Sequence, residues 1–291
     1  MFRGSYVAIV TPFKGDEVDL DALGELIERQ LAAGTDGIVP AGCTGEAATL
    51  SHEEHHRVIE FTVKVVAGRA KVIAGAGSNC TSEAISLTRY AEKAGADAVL
   101  HITPYYNKPT QEGIYRHYKA VAEVTGLPVM LYNVPSRTGR EIEIETAARC
   151  GEIKNIVAIK EAGGSVDRAS RLVRETKLEV LSGDDSLTLP MIAVGAVGVV
   201  SVVANLVPRD VKTMVDDALA ARNDSARALH LKMLPLVNEL FRENNPMGVK
   251  AALKLMGLLN GELRMPLCEL RPENEKRLAA VMRAYGGLLG A

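Results

Sequence analysis

The segment Asn155-Ile156-Val157-Ala158-Ile159-Lys160-Glu161 decides the fold class. Its run of apolar residues indicates a strand buried on both faces, and such strands belong to parallel sheets covered by helices. Burial of Lys160 removes water from its ammonium group and lowers its pKa. The free amine that results attacks carbonyl carbons to form a Schiff base, so Lys160 is a candidate nucleophile. The alternative is a lysine at the solvent end of the strand, with its charge directed outward.

Seven further apolar runs of strand length occur along the chain, and stripes at helical spacing lie between them, such as Leu23, Leu26, Ile27 and Leu31. The predicted strands are residues 7–10, 37–39, 71–75, 98–103, 128–133, 156–160, 179–182 and 199–203. Alternating strands and helices predict an α/β fold, a (β/α)₈ TIM barrel over residues 1–222. A doubly wound open sheet is the competing architecture.

A local repeat supports the alternation of helices and strands. Gly34, Gly95 and Gly195 each follow a helical stripe and precede an apolar strand by a few residues. Glycine suits the left-handed conformation that ends a helix, so each repeat predicts a short turn from helix to strand. Ser51 and Glu54 have the spacing of a capping box at a helix start.

The strand pattern stops near Asn223, and three helical patterns follow it. We therefore predict a C-terminal helical region over residues 223–291. Pro246 and Pro272 are each suited to the first position of a helix, because a proline there loses no hydrogen bond.

The composition is that of a globular protein with balanced charge. Of 291 residues 47% are hydrophobic, and the net charge is −2. We find no basic stripe that would favour nucleic acid or an anionic membrane. Residues 186–208 carry no charge and are long enough to span a bilayer, but Pro190, Gly195 and Gly198 interrupt them. The four cysteines have no paired or metal-type spacing and no leader segment is evident, so we expect a cytoplasmic protein.

The predicted strand ends carry polar and reactive residues, and in such a barrel the active site lies at the carboxyl ends of the strands. Tyrosine hydroxyls at these ends, in Tyr105, Tyr106 and Tyr132, can relay protons to and from a Schiff base. Arg137 offers a planar fork for a carboxylate, and the Gly42–Gly45 turn can present N–H groups to an anion. Taken singly, each tyrosine also fits a rim or core aromatic, and a lone loop arginine is usually solvated.

The sequence resembles the dihydrodipicolinate synthase family, within the pyruvate-dependent class I aldolases and lyases. Gly-x-Thr-Gly-Glu at residues 42–46 and Ile-Lys-Glu at 159–161 are shared across the wider group. Pro-Tyr-Tyr-Asn-Lys-Pro at 104–109 and Tyr-Asn-Val-Pro-Ser-Arg-Thr-Gly at 132–139 are specific to this family, and Arg137 is the sharpest marker.

The resemblance implies that Lys160 condenses with pyruvate and that the enamine attacks aspartate semialdehyde, giving 4-hydroxy-tetrahydrodipicolinate for lysine and diaminopimelate synthesis. Tyr132 would relay protons, Tyr106 would reach a neighbouring subunit, and Arg137 would bind the carboxylate of the aldehyde. Residues expected to hold pyruvate or line the pocket are Thr44, Gly45, Gly183 and Val200. The reaction needs no metal or organic cofactor, because the lysine serves as the electron sink.

One position departs from the family pattern. Cys43 stands where the family's proton relay normally has a threonine, or sometimes a serine, hydroxyl.

The family also implies feedback inhibition by L-lysine at a dimer interface, and a tetramer built as a dimer of dimers. The matching positions are Ala47, Ala48, His52, His55, Asn79, Glu83 and Tyr105. Glu83 suits an ammonium group, whereas Ala47 lacks the hydroxyl of the serine in some lysine-sensitive members. His52 and His55 also fit a solvated helix start, and a zinc pair would lack a third ligand.

Two other functions remain open from the sequence alone. A sister aldolase, such as a sialic-acid or keto-sugar-acid lyase, would share Lys160 and Tyr132 but is not expected to carry Arg137 in this context. A barrel that binds an amino acid and signals without turnover would account for Cys43, although Lys160, Tyr106 and Tyr132 argue against it.

Overall fold

Eight parallel strands close into a barrel, as the computed structural model of residues 1–289 shows. Their order around the barrel follows their order along the chain, and the first strand pairs with the last, which closes the ring. The barrel strands are β1 (Gly4–Ala8), β4 (Gly37–Val39), β5 (Lys71–Gly75), β6 (Ala98–Ile102), β7 (Val129–Asn133), β8 (Ile156–Glu161), β9 (Glu179–Ser182) and β10 (Gly198–Ser201). A closed ring rules out the open doubly wound sheet.

Two of the predicted strands are displaced. β1 begins at Gly4, three residues before the predicted start at Val7, because Gly4 pairs with Gly198 where a side chain on Gly198 would strike the Gly4 backbone. The first pair therefore consists of two glycines, which have no side chain and so add nothing to a hydrophobic pattern. β10 ends at Ser201 because the backbone N–H groups of Val202 and Val203 donate to the Asp185 carboxylate, at 3.0 and 2.9 Å.

A small antiparallel hairpin, β2 (Phe13–Lys14) and β3 (Glu17–Val18), was not predicted. Its strands have two residues each, so they carry no periodicity. Gly15 lies in its turn with a φ of 61°, a conformation that glycine adopts without strain.

Helices cover the outside of the barrel. The helices that follow barrel strands are α1 (Leu20–Ala32), α2 (His52–Val66), α3 (Thr81–Lys93), α4 (Gln111–Ala122), α5 (Pro135–Thr138), α6 (Ile144–Gly151), α7 (Val166–Glu175), α8 (Thr188–Ala193) and α9 (Pro208–Leu219). The Ser51 and Glu54 capping box opens α2 as predicted. Gly34, Gly95 and Gly195 follow their helices with φ of 81°, 87° and 111°, which confirms the predicted turns.

Three helices follow the barrel: α10 (Asn223–Leu240), α11 (Met247–Leu255) and α12 (Pro272–Tyr285). Pro272 occupies the first turn of α12 as predicted. The placement of Pro246 was wrong by one residue, because it caps α11 and the helix begins at Met247.

The uncharged residues 186–208 divide between α8, β10 and a 3₁₀ turn at Val203–Asn205. No helix within residues 1–289 is both long and apolar enough to cross a bilayer.

Two apolar clusters form the core. One lies between the strands and the helices, and the other fills the barrel, with Tyr6, Met130, Tyr132, Leu181 and Val200 among its members. The carboxyl ends of the strands therefore form a polar rim above a packed interior, and the candidate residues occupy this rim.

Candidate active site

Lys160 lies near the carboxyl end of β8, and only 5% of it is exposed. The register of the sheet places it beside Tyr132 of β7. The Lys160 Nζ atom is 4.2 Å from the centroid of the Tyr132 ring. The amine thus lies against an aromatic face rather than in solvent. The alternative of a lysine that directs its charge into solvent is therefore wrong.

Burial lowers the pKa of Lys160 to about 8, since desolvation penalises its charged form. The acidic side chains of Cys43, Asp184 and Asp185 nearby act in the opposite direction and keep the shift moderate. An amine with this pKa is partly unprotonated near neutral pH, which is the state that adds to a carbonyl.

Tyr132 has a buried hydroxyl group that is protonated. Burial raises the pKa of its phenol well above the usual range, and Cys43, which lies within hydrogen-bonding reach, raises it further. The Cys43 side chain is partly exposed and lines the open side of the site. The Lys160 amine, the Tyr132 hydroxyl and the Cys43 thiol therefore form one cluster.

A polar clamp behind the cluster holds β7 and β8 in register. The Asn133 Nδ2 group donates to both oxygens of Glu161, at 2.9 and 3.0 Å, and the Arg168 Nε group donates to Glu161 at 3.0 Å. Asn133 and Glu161 follow Tyr132 and Lys160 directly and pair across the sheet. Their side chains point to the opposite face, so the clamp fixes the reactive pair without entering the site.

Sequence reasoning did not assign this clamp. The signal was present, because a carboxylate directly after a buried lysine at a strand end must itself find a partner.

Thr44 and Gly45 lie buried in the loop that follows β4. The Thr44 Oγ1 atom accepts a hydrogen bond of 2.9 Å from the Asn245 side chain, and the Gly45 carbonyl accepts one of 2.7 Å from Thr11. Arg137 lies in the short helix α5, and its Nη2 group donates to the Asn245 carbonyl at 2.9 Å. Asn245, from the segment between α10 and α11, was not predicted.

Gly183 and Val200 adjoin the cluster, and their place in the pocket wall stays a prediction. A side chain on Gly183 would come within 3.0 Å of the Lys160 Cε atom, so the lysine stem packs against this glycine. Val200 is buried in the same interior cluster as Tyr132.

A cavity of about 400 Å³ opens at this end of the barrel. Cys43, Tyr132 and Arg137 line it. So do most of the positions predicted for lysine, namely Ala47, Ala48, His52, His55, Glu83 and Tyr105. Asn79 is absent from this lining within residues 1–289, and its carbonyl accepts a hydrogen bond from Asn107. Five other predicted positions within residues 1–289 do not line this cavity: Lys160, Thr44, Gly45, Gly183 and Val200.

Glu83 is the acidic residue among the positions predicted for lysine that line this cavity. His52 Nε2 lies 2.7 Å from one Glu83 oxygen, and the Ser78 hydroxyl donates to the other. The hydrogen bond from Ser78, and then that from His52, lowers the pKa of Glu83, so it is a carboxylate at neutral pH. Burial lowers the pKa of His55 to about 4, and its Nε2 faces the Gly75 carbonyl at 2.8 Å.

No group of three or more His, Cys, Asp and Glu side chains in the described part of the chain is placed to hold a metal ion. His52 and His55 contact Glu83 and a backbone carbonyl respectively.

Tyr106 is not brought to Lys160 within one chain. It is 88% exposed and has a φ of 69°, in the loop that follows β6. Tyr105, its neighbour, lies in the cavity.

Comparisons with known proteins agree with this geometry. Residues 1–285 match the Dihydrodipicolinate synthetase family. The 4-hydroxy-tetrahydrodipicolinate synthase of Syntrophus aciditrophicus is 54% identical over 98% of this chain and 99% of its own length, as is that of Methanocaldococcus jannaschii. The crystal structure of dihydrodipicolinate synthase from Aquifex aeolicus is 49% identical, with a TM-score of 0.98 and full coverage of both chains. The chain therefore belongs to the dihydrodipicolinate synthetase family.

Proposed function

We propose that this chain is a Schiff-base lyase that condenses pyruvate with aspartate 4-semialdehyde to 4-hydroxy-tetrahydrodipicolinate, for lysine and diaminopimelate synthesis. The observation that carries the proposal is the Lys160 amine, buried at the barrel mouth with a pKa lowered to about 8. Relatives with the name 4-hydroxy-tetrahydrodipicolinate synthase support it, since their similarity extends over nearly the whole chain. We place the enzyme in the cytoplasm, which suits its four free cysteines.

The Lys160 amine would attack the pyruvate carbonyl, and loss of water from the carbinolamine would give an imine. Loss of a methyl proton then forms an enamine, whose carbon attacks the aldehyde carbon while the aldehyde oxygen takes up a proton. The amino group of the adduct attacks the imine carbon, which closes the ring and releases Lys160. Tyr132, protonated because it is buried, would pass the protons on. The related Acinetobacter baumannii structure is a complex with pyruvate, which supports the first step.

The two substrates would be held by separate groups. Thr44 and the Gly45 backbone would bind the pyruvate carboxylate, and Gly183 and Val200 would bound the pocket beside Lys160. Arg137 would bind the carboxylate of the aldehyde, because it lines the cavity and donates only one of its N–H groups to Asn245 among the described contacts.

The active form would be a homotetramer, a dimer of dimers. Tyr106 supports assembly, since at 88% exposure it contacts little of its own chain and is free to reach the site of a neighbouring copy. There its hydroxyl would join the relay of Tyr132 and Cys43.

L-lysine would bind in the half of the cavity around Glu83, with Ala47, Ala48, His52, His55, Asn79 and Tyr105. The Glu83 carboxylate suits the ammonium group of the ligand, and the shared cavity gives a direct route for lysine to affect Tyr132. The related structure from Cyanidioschyzon merolae, 40% identical, has lysine bound.

Borohydride reduction in the presence of pyruvate tests the central step. We expect peptide mapping to find the reduced adduct on Lys160 and the Lys160→Ala variant to remain unlabelled. Lys250 is a matched internal control, because burial lowers its pKa to about 8 as well, but Glu46 and the Glu262 carbonyl hold its amine. Label on Lys250, or full labelling of Lys160→Ala, would end the Schiff-base assignment.

The Arg137→Ala variant separates the two substrates. It should still trap pyruvate on Lys160, whereas its use of aspartate semialdehyde should fall roughly 10- to 150-fold, the value of a charge-assisted contact. Unchanged kinetics for this aldehyde would remove Arg137 from the site.

A further inference from the structure

Asn245 contacts both groups that the proposed function assigns to substrate carboxylates. Its Nδ2 group donates to the Thr44 hydroxyl at 2.9 Å, and its backbone carbonyl accepts from Arg137 Nη2 at 2.9 Å. Thr44 and Arg137 follow different strands, β4 and β7, and Asn245 lies outside the barrel between α10 and α11. Only 7% of Asn245 is exposed. One buried residue of the helical region therefore connects two loops of the barrel mouth.

The direction of the bond to Thr44 matters for the chemistry. A threonine hydroxyl has one proton to donate and lone pairs to accept. Because Asn245 Nδ2 is the donor, the Thr44 oxygen accepts and its proton stays available for an anion. With the amide reversed, the Asn245 oxygen would take this proton and Thr44 could no longer donate to a carboxylate.

The Asn245 Oδ1 atom is buried and has no hydrogen-bond partner among the described residues. The contact from Nδ2 to Thr44 is therefore the one hydrogen bond of this side chain among the described residues.

A second contact holds the same loop from the same side. Lys250 of α11, fully buried, pairs with Glu46, and the Arg264 backbone N–H donates to Glu46 at 3.2 Å. The helical region thus holds the loop at Thr44 and again at Glu46. Asn245 acts on a loop that is already fixed, so the effect of its side chain is local to the Thr44 hydroxyl.

We propose that Asn245 is a positioning residue that sets both carboxylate-binding groups, Thr44 through its side chain and Arg137 through its backbone. The inference rests on the proposed function. It assigns the side-chain contact to the first substrate alone, because replacing the side chain leaves the backbone carbonyl that Arg137 uses.

The Asn245→Ala variant tests this division. The pyruvate concentration that half-saturates borohydride trapping should rise roughly 2- to 12-fold, the value of a neutral hydrogen bond, while the KM for the aldehyde stays within about 2-fold of the parent. The nearly isosteric Asn245→Asp variant should lose more, because its carboxylate accepts the Thr44 proton and repels pyruvate. Asn223→Ala, at the exposed start of α10 and away from the cavity, serves as the control.

A double-mutant cycle with Thr44→Val shows whether Asn245 acts through the hydroxyl. In the Thr44→Val background, Asn245→Ala should add less than about 2-fold to the half-saturating pyruvate concentration. Additive losses, an equal rise for both substrates, or unchanged pyruvate use in Asn245→Ala would each overturn the inference. Circular dichroism and thermal melting identify a misfolded variant, in which case Asn245→Asp, with its conserved volume, decides.

These outcomes are distinct from failure of the proposed function. If the parent protein traps no pyruvate on Lys160, the proposed reaction fails and the positioning role with it. If the parent traps pyruvate and Asn245→Ala behaves like the parent, only the positioning role is removed.

Discussion

At the scale of single residues, Cys43 places a thiol beside the Tyr132 phenol, where the family pattern has a hydroxyl. Sulfur is larger than oxygen, its S–H is a weak donor and its lone pairs are weak acceptors. A proton relay through Cys43 is therefore longer and less well aligned than one through threonine. In the proposed mechanism Tyr132 would still meet the substrate, so the chain would keep the group that matters most for proton transfer.

We expect Cys43→Thr to raise the turnover number of a slow but active synthase. General acid–base relays contribute roughly 10²–10⁴-fold to rate, and the thiol should forfeit only part of that. Steady-state assays of the two proteins, run in parallel, measure the effect. A Cys43→Thr variant slower than its parent would mean that the site is built around sulfur, and Cys43→Ser would then show whether size or chemistry is responsible.

The residues that sequence reasoning found are those with a local signal. Lys160 interrupts an apolar run, and Tyr132 and Arg137 lie in a motif, so their place near a strand end follows from the pattern. Asn245 has no such signal, because its partner Thr44 is 201 positions away and the segment around it has no periodicity. Only the folded chain brings these two residues together.

At the scale of elements, strands with apolar runs were predicted within a residue or two, and those determined by backbone contacts were not. β4, β5 and β9 have the predicted bounds, because their apolar residues coincide with their pairing. β1 was displaced because its first pair is formed by two glycines. The hairpin β2–β3 was missed because two residues show no alternation.

The lysine proposal depends on two helix starts, since His52 opens α2 and Glu83 lies in the first turn of α3. We expect Glu83→Gln to abolish or strongly weaken lysine binding, because the amide loses the charge that pairs with the ammonium group. Trapping of pyruvate on Lys160 should be unaffected. Titration calorimetry with lysine measures the first effect. No lysine binding to the parent, or equal binding to both proteins, would defeat the assignment.

At the scale of the whole molecule, the helical region completes the site rather than simply following the barrel. The division at residues 222 and 223 matches the start of α10 and stays a prediction. Yet Lys250 and Asn245 beyond it hold the loop that carries Thr44 and Glu46. Arg264 adds a salt bridge to Glu54 at the start of α2, at 2.5 Å. The barrel strands carry Lys160 and Tyr132, and the helical region contacts Thr44 and Arg137 of the candidate site.

Three buried histidines make the folded chain sensitive to acid. Burial lowers the pKa of His101 to about 3 and those of His55 and His117 to about 4, from an ordinary value of 6.5. His101 and His117 also lie close enough to repel each other when charged. Unfolding exposes all three, so between pH 6.5 and about 4 the unfolded chain binds protons that the folded chain does not.

The free energy of unfolding should therefore decrease as the pH falls through this window, by roughly 1.4 kcal/mol per pH unit for each such proton. Burial raises the pKa of Glu161 and Asp185, which acts in the opposite direction, so the total slope alone does not isolate the histidines. His101→Gln does, because it removes one titrating group and keeps an amide near the Thr88 hydroxyl that His101 Nε2 contacts at 3.0 Å. Urea unfolding at several values between pH 6 and 4.5 should give a slope smaller by about one proton in His101→Gln, whatever the stability of this variant at pH 7. Equal slopes in the two proteins would mean that His101 is already protonated in the folded chain, and its burial would then require a charge partner.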